Sequence, residues 1–215
     1  GMCNLRLDQL LLSIFLPPSI LGLYVVAVTV GAGANLVSST IAYWVAFPRL
    51  SSLPLGALKS QTLGRYMRLA LFASLFSVVI LFLAAPWLIT FFFGPAYAES
   101  VGMARILILA AVPLGCNAIF TAGFKAYNLP EVSSSAEIIG LAVTALALLV
   151  LLPNFQALGA AWASLLAYSV TFVYMSAKSY RKMNVRLVEL FLPSWDDWRY
   201  LKGLLVRMSL FRLQA

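Results

Sequence analysis

Residues 9–48 read QLLLSIFLPPSILGLYVVAVTVGAGANLVSSTIAYWVAFP and contain no Asp, Glu, Lys or Arg. Two further uncharged stretches cover residues 69–98 and 138–177. An apolar stretch of roughly 18 residues is long enough for a helix to cross a bilayer, and the first and last of these stretches are long enough to cross twice. The sequence therefore predicts an all-α, polytopic integral membrane helix bundle.

The composition supports a membrane location and argues against nucleic acid as a partner. Hydrophobic residues make up 62% of the chain and charged residues only 10%, whereas about a quarter of the residues in soluble domains are charged. The net charge of +8 comes from basic residues that flank the apolar stretches, where positive charge is an orientation signal. Cys3 and Cys116 have no metal-ligand spacing, so we expect them to be small apolar residues of the core.

Prolines and charges divide the chain into one partial helix and five full spans. Pro17 and Pro18 interrupt the first stretch, because proline removes a helix hydrogen bond and restricts the residue before it. The partial helix covers residues 5–16, and the spans cover residues 19–48, 66–93, 105–127, 135–152 and 158–177. The partial helix is too short to cross a membrane, and Gly1 precedes Met2. We therefore expect a piece of a longer protein that inserts into the membrane but cannot transport alone.

The basic residues predict the orientation of these spans. If successive spans alternate in direction, all of the 15 basic residues except Arg105 lie on one side. The positive-inside rule assigns that side, and with it the C-terminus, to the cytoplasm.

The sequence changes character after the last span. We divide the chain into a transmembrane bundle, residues 1–178, and a cytoplasmic tail, residues 179–215. Ser194 is suited to cap a helix in which Trp195, Trp198 and Leu201 recur at helical spacing. Such a helix can lie on the cytoplasmic leaflet or dock a partner enzyme.

Few polar residues fall where function is expected. Arg6 and Asp8 lie at the mouth of the first helix or inside it, where charge is costly and faces a cavity; the alternative is that both are ordinary flanking charges at the interface. Glu137 is expected to begin a helix, where its carboxylate favours the helix dipole, and Asn117 to join neighbouring helices. Gly159 and Ala163 form a small-x-x-x-small step that predicts close helix packing.

Several missing features argue against catalysis. The chain has no histidine, no phosphate-binding loop of the G-x-x-x-x-G-K-[ST] type and no carboxylate paired with a nucleophile. We therefore predict that the protein is not an enzyme and has no catalytic residues, no metal ligands and no cofactor.

Six short segments, in this order, resemble the second half of bacterial polysaccharide flippases. These transporters form one superfamily with lipid II flippases and multidrug and toxic compound extrusion transporters. The segments are RLD at residues 6–8, LGLYVVA at 21–27, AFPRLS at 46–51, FGPAY at 93–97, SAEIIG at 135–140 and LGAAWA at 158–163. The resemblance covers nearly the whole chain.

The resemblance implies two six-helix bundles around a central cavity that works by alternating access, with this chain as the C-terminal bundle and its first helix truncated. It implies translocation of an undecaprenyl-diphosphate-linked oligosaccharide across the bacterial cytoplasmic membrane for polysaccharide biosynthesis. Candidate substrate-binding residues are Arg6, Asp8, Arg49 and Lys125, since arginine binds phosphate oxygens with two parallel bonds. The implied partners are the lipid-linked oligosaccharide, membrane lipids and the missing N-terminal bundle, with a glycan polymerase or glycosyltransferases as further candidates.

Other functions are compatible with the sequence. A drug/cation antiporter of the same superfamily would need a buried carboxylate, for which Asp8 is the best candidate. A non-transporting membrane scaffold for glycan assembly would act through the tail. An integral polyprenyl-sugar transferase or polymerase is disfavoured because acid/base residues are missing.

Overall fold

The computed structural model describes Leu12, residues 17–183 and Leu190. Predictions for the first helix, for Arg6 and Asp8, and for the amphipathic segment of the tail lie outside the described residues. The part that is described is almost entirely helical and contains no strand, which confirms the predicted fold class.

Four helices in the described part are long and apolar enough to cross a membrane. Helix α1 is Pro18–Ser51 and contains a π-helical segment, Ile41–Ala46. Helix α2 is Ala57–Phe93, α3 is Ser100–Ala126 and α4 is Pro130–Met183. All four helices extend beyond the predicted spans: the first, second and fourth continue past the apolar stretches into charged sequence, and the third begins five residues earlier than predicted, at Ser100.

Helix α4 folds back on itself at Gln156, whose φ of 48° and ψ of −130° are not helical. We call its arms α4a, residues 130–155, and α4b, residues 157–183. The hydroxyl groups of Ser135 and Tyr174 lie 2.9 Å apart, and Lys182 pairs with Glu131 at 3.3 Å. The arms are therefore antiparallel, and the described part contains the five predicted membrane-length segments.

Small residues bring the two arms into contact near their turn. A Cβ on Gly159 would lie 2.5 Å from the carbonyl oxygen of Leu151 on the other arm, and Ala163 is fully buried. The close packing predicted for Gly159 and Ala163 is confirmed.

The turn between α3 and α4 is closed by backbone hydrogen bonds. Asn128 has a left-handed φ of 57°, and the amide of Leu129 donates to the carbonyl of Phe124 at 2.8 Å. This Schellman-type end satisfies carbonyls that a helix terminus otherwise leaves free. Pro130 then begins α4, a position that suits its fixed φ.

Helix α3 is the centre of the bundle, and α1 runs parallel to it. A Cβ on Gly31 would lie 2.8 Å from the Cβ of Leu107, and a Cβ on Gly115 would lie 2.8 Å from that of Ser38. Helix α2 is antiparallel to both, since Ser74 also meets Gly115 whereas its earlier residue Leu63 meets Gly123. Small residues therefore let the three backbones approach closely.

Arm α4b packs on the other side of α3. The Nδ2 atom of Asn117 donates to the carbonyl oxygen of Tyr168 at 3.0 Å, and the rings of Phe120 and Phe172 are 6.0 Å apart. The predicted role of Asn117 as a link between helices is confirmed.

These helix directions place most of the described basic residues at one end of the bundle, which we call the basic end. They are Arg49, Lys59, Arg65, Arg68, Lys125, Lys178, Arg181 and Lys182. Among the described basic residues, Arg105 alone lies toward the other end.

One prediction about a carboxylate is wrong. Glu137 was expected to begin a helix, but α4 begins seven residues earlier at Pro130, and Glu131 occupies its first turn. The dipole of the helix N-terminus acts only over the first turn, so it does not stabilise Glu137.

Candidate functional site

A cavity of about 230 Å³ opens between α1, α3 and α4b. Its walls are Val28, Gly31, Ala32, Asn35, Leu36 and Ser39 from α1, Leu107, Ala111 and Leu114 from α3, and Ser164 and Tyr168 from α4b. We refer to this space as the cavity.

Helical spacing explains which residues of α1 face the cavity. Positions three and four apart lie on one face of a helix, and Val28, Ala32, Asn35 and Ser39 follow that spacing. The contact between Gly31 and Leu107 holds this face next to α3. The small side chain of Ala32 leaves open space beside Asn35.

Polar groups in the cavity are suited to hydrogen bonding. The Ser39 hydroxyl donates to the carbonyl oxygens of Asn35 and Leu36, at 2.9 and 3.0 Å, and retains oxygen lone pairs. The Asn35 amide oxygen is buried and has no hydrogen-bond partner among the described residues. Leaving a buried acceptor unsatisfied costs about 1–3 kcal/mol, so a ligand that donates a hydrogen bond there would be favoured.

The described walls of the cavity carry no charged side chain. The described carboxylates, Glu99, Glu131 and Glu137, are all exposed residues outside those walls. Within the same part of the chain, no group of three or more His, Cys, Asp or Glu is placed to hold a metal ion. The described walls of the cavity are therefore uncharged and mostly apolar, with hydrogen-bonding groups at Asn35, Ser39, Ser164 and Tyr168.

The structure places the sequence-based candidates Arg49 and Lys125 away from the cavity. Both are exposed, and they lie level with each other at the basic end, because α1 and α3 are parallel. Arg49 is ten residues beyond Ser39, which corresponds to about 15 Å along a helix. Their role in binding substrate stays a prediction, as do those of Arg6 and Asp8.

Lys59 is a buried cation that the sequence analysis missed. Its ammonium group donates to the carbonyl oxygens of Ala126, at 2.7 Å, and of Leu53, at 3.3 Å. It also lies 4.9 Å from the centre of the Tyr127 ring, and burial raises the pKa of that tyrosine. Lys59 thus ties the loop between α1 and α2 to the C-terminus of α3, where a cation is favourable.

The cavity residues Asn35, Ser39, Ser164 and Tyr168 were also missed. A signal for two of them exists in the sequence, since Asn35 and Ser39 are polar residues one helical turn apart in an uncharged stretch. The sequence does not show which way that face is turned.

Solved structures with the same fold are membrane transporters. An outward-facing multidrug resistance MATE family transporter of the MOP superfamily matches 93% of this chain and 47% of its own, at 19% identity and a TM-score of 0.65. The chain has the fold of one half of a MATE transporter. A MATE protein in a bent conformation matches 91% of this chain and 45% of its own, at 19% identity and a TM-score of 0.62.

A third structure with this fold carries a different description. It is a MOP superfamily transporter from Pyrococcus furiosus whose binding pocket is described as having reverse polarity, suggesting a different function. It matches 92% of this chain and 46% of its own, at 17% identity and a TM-score of 0.65. No protein-family profile and no curated protein sequence matches the chain. The chain spans about half the length of the transporters that share its fold, and it is a multi-pass membrane protein.

Proposed function

We propose that this chain is the C-terminal bundle of a two-lobe flippase. The flippase moves an undecaprenyl-diphosphate-linked oligosaccharide across the bacterial cytoplasmic membrane for polysaccharide biosynthesis, and the sugar contacts the cavity between α1, α3 and α4b. The proposal rests on the uncharged described walls of this cavity and on the hydrogen-bonding groups of Asn35 and Ser39 within them. Sugar hydroxyl groups donate and accept hydrogen bonds, and Asn35 and Ser39 offer acceptors to them.

The basic end of the bundle supports the same proposal. We assign it to the cytoplasmic side by the positive-inside rule, which also makes the C-terminus cytoplasmic. Arg49 and Lys125 are then exposed where a lipid diphosphate enters from the cytoplasmic leaflet, and each can attract phosphate oxygens. Arg6 and Asp8 remain candidates for the same path. The required partners are the N-terminal bundle and the lipid-linked substrate, with glycan polymerase or glycosyltransferases acting beside them.

A drug/cation antiporter is the second candidate, and the resemblance to multidrug resistance MATE transporters favours it. Such a protein would use a buried carboxylate to exchange cations, as argued for Asp8. No described carboxylate lines the cavity, which makes this candidate the weaker one.

Complementation separates the two candidates. We expect the full-length protein to restore surface glycan in a strain that lacks its flippase, and Asn35→Leu to reduce export about tenfold, since it removes the amide that contacts sugar. Thr40→Val is the matched control, because the Thr40 hydroxyl is exposed and bonds to its own helix at the carbonyl of Leu36. Resistance to cationic drugs without glycan export would contradict the proposal and favour the antiporter.

A further inference from the structure

Arg105 is separate from the cavity and from the basic end. It lies in the first third of α3, Ser100–Ala126, inside a membrane-length apolar segment. It precedes the cavity residue Leu107 by two positions. Two positions correspond to a rotation of about 200° around the helix axis. Arg105 therefore lies on the opposite side of α3 from the cavity.

Among the described residues, none supplies a carboxylate to the charge of Arg105. Its guanidinium carbon lies 5.0 Å from the centre of the Phe82 ring on α2. Its Nε atom is buried, with no hydrogen-bond partner within the described ranges, and none of the carboxylates described there pairs with it. A cation at membrane depth is costly unless an anion or water accompanies it.

Exposed apolar side chains continue from Arg105 toward the middle of the bundle. Leu109 follows one helical turn later on α3 and is 44% exposed. On α2, Val79 and Leu75 share one face with Phe82, three and seven residues away, and are 57% and 44% exposed. Because α2 and α3 pack as antiparallel neighbours, we expect these exposed side chains to lie along the line where the two helices meet, which we call the groove.

Exposed aromatic side chains lie near this end of the bundle, as expected at a membrane boundary. Trp87 and Phe91 are 62% and 66% exposed, and their rings stack with centres 5.0 Å apart. Tryptophan is enriched at the level of lipid headgroups, whereas phenylalanine is not specific to that level. Both follow Phe82 on α2 toward the same end, so Arg105 lies just below headgroup level.

We propose that Arg105 binds the phosphate of an anionic membrane phospholipid whose acyl chain occupies the groove formed by Leu75, Val79, Phe82 and Leu109. A guanidinium group is suited to phosphate because it can donate two parallel hydrogen bonds. The apolar groove begins where the acyl chain of such a lipid begins. The lipid here is part of the surrounding membrane, so the site is independent of the proposed transport substrate.

Native mass spectrometry of the purified full-length protein tests the site. The probes are phosphatidylglycerol, diacylglycerol with the same acyl chains, and inorganic phosphate. We expect phosphatidylglycerol to bind wild-type protein, and Arg105→Gln to weaken that binding about tenfold, the effect of losing a hydrogen bond of about 1.5 kcal/mol to a charged group. Arg181→Gln, at an exposed position of the basic end, is the matched control because it removes one positive charge away from the proposed contact, and it should weaken binding less than Arg105→Gln does.

Two further arms identify the ligand. Diacylglycerol should bind wild type and Arg105→Gln equally, and inorganic phosphate should not displace the phospholipid. Leu109→Trp fills the groove beside Arg105 and should reduce phosphatidylglycerol binding even if Arg105→Gln fails to fold. Unchanged binding in Leu109→Trp, an equal loss in Arg181→Gln, or displacement by inorganic phosphate would each overturn the proposal.

Discussion

Ser38 and Ser39 are neighbours on α1, yet their hydroxyl groups meet different surroundings. The Ser38 hydroxyl is buried, 2.6 Å from that of Ser74 on α2 and 3.2 Å from the carbonyl oxygen of Ala70, and Gly115 of α3 packs against both serines. We call Ser38, Ser74 and Gly115 the seam. Among the described residues, the Ser39 hydroxyl bonds only to α1, and Ser39 lines the cavity.

The difference separates two uses of polar residues in a membrane span. In the seam, polar groups satisfy one another and hold helices together. In the cavity, the Asn35 amide oxygen lacks a partner among the described residues, so its capacity to accept a hydrogen bond is unused. Substitutions in the seam should therefore change stability, whereas substitutions in the cavity should change transport.

The largest effect is expected at Gly115. A Cβ there would lie 2.6 Å from the Ser74 hydroxyl oxygen and 2.8 Å from the Ser38 Cβ, so Gly115→Val overpacks the seam by about 3 kcal/mol or more. We expect a large fall in the temperature at which the detergent-solubilised protein loses its monodisperse size-exclusion peak. Gly22→Val is the control, because a Cβ on Gly22 would meet no other atom within 4 Å. Equal losses in both variants would contradict a closely packed seam.

The next largest effect on stability is expected at Lys59, which stabilises the fold as the seam does. Lys59→Met leaves the carbonyl of Ala126 without its donor and should lower the free energy of unfolding by about 2 kcal/mol, the range for hydrogen bonds that involve a charged group. The temperature at which Cys116 reacts with a thiol probe, in a Cys3→Ser background, measures the loss, since Cys116 is buried. Lys125→Met is the control at an exposed position. Equal shifts of that temperature in the two variants would contradict a stabilising role for Lys59.

A smaller effect is expected from Ser74→Ala, which removes one hydrogen bond of the seam. Bonds between membrane helices contribute about 0.6 kcal/mol on average, so thermal stability should fall slightly. Glycan export per molecule of protein should stay at the wild-type level. Reduced export without reduced stability would show that the seam contacts substrate.

The smallest effect on stability is expected from Ser39→Ala, because its hydroxyl bonds only to carbonyls that already belong to α1. If sugar accepts or donates one hydrogen bond there, export should fall about threefold to tenfold, corresponding to about 0.5–1.5 kcal/mol. Export and stability of Ser39→Ala are compared with those of Ser38→Ala, its neighbour in the seam. If Ser38→Ala reduced export and Ser39→Ala reduced stability, the proposed division between seam and cavity would be wrong.

The sequence predicts the spans well, because crossing a bilayer requires long uncharged stretches that are visible in the chain. It also predicts the contacts of Asn117 and Gly159, since an amide and a small residue have few other uses inside a span. It does not separate Ser38 from Ser39, because the rotation of α1 depends on how Gly31 and Gly115 let the helices approach. Lys59 was missed for a similar reason: the carbonyls that satisfy its charge come from distant parts of the chain.

The central claim is that the cavity contacts the translocated sugar. Photo-cross-linking in the full-length protein tests this claim with radiolabelled undecaprenyl-diphosphate-linked oligosaccharide. Benzoylphenylalanine replaces Leu36, in the cavity wall, in one variant. It replaces Phe76, on the exposed face of α2, in the other. We predict cross-linking at position 36 that excess unlabelled substrate suppresses, and at most weak, unsuppressed cross-linking at position 76. Equal cross-linking at both positions, unaffected by unlabelled substrate, would contradict the claim.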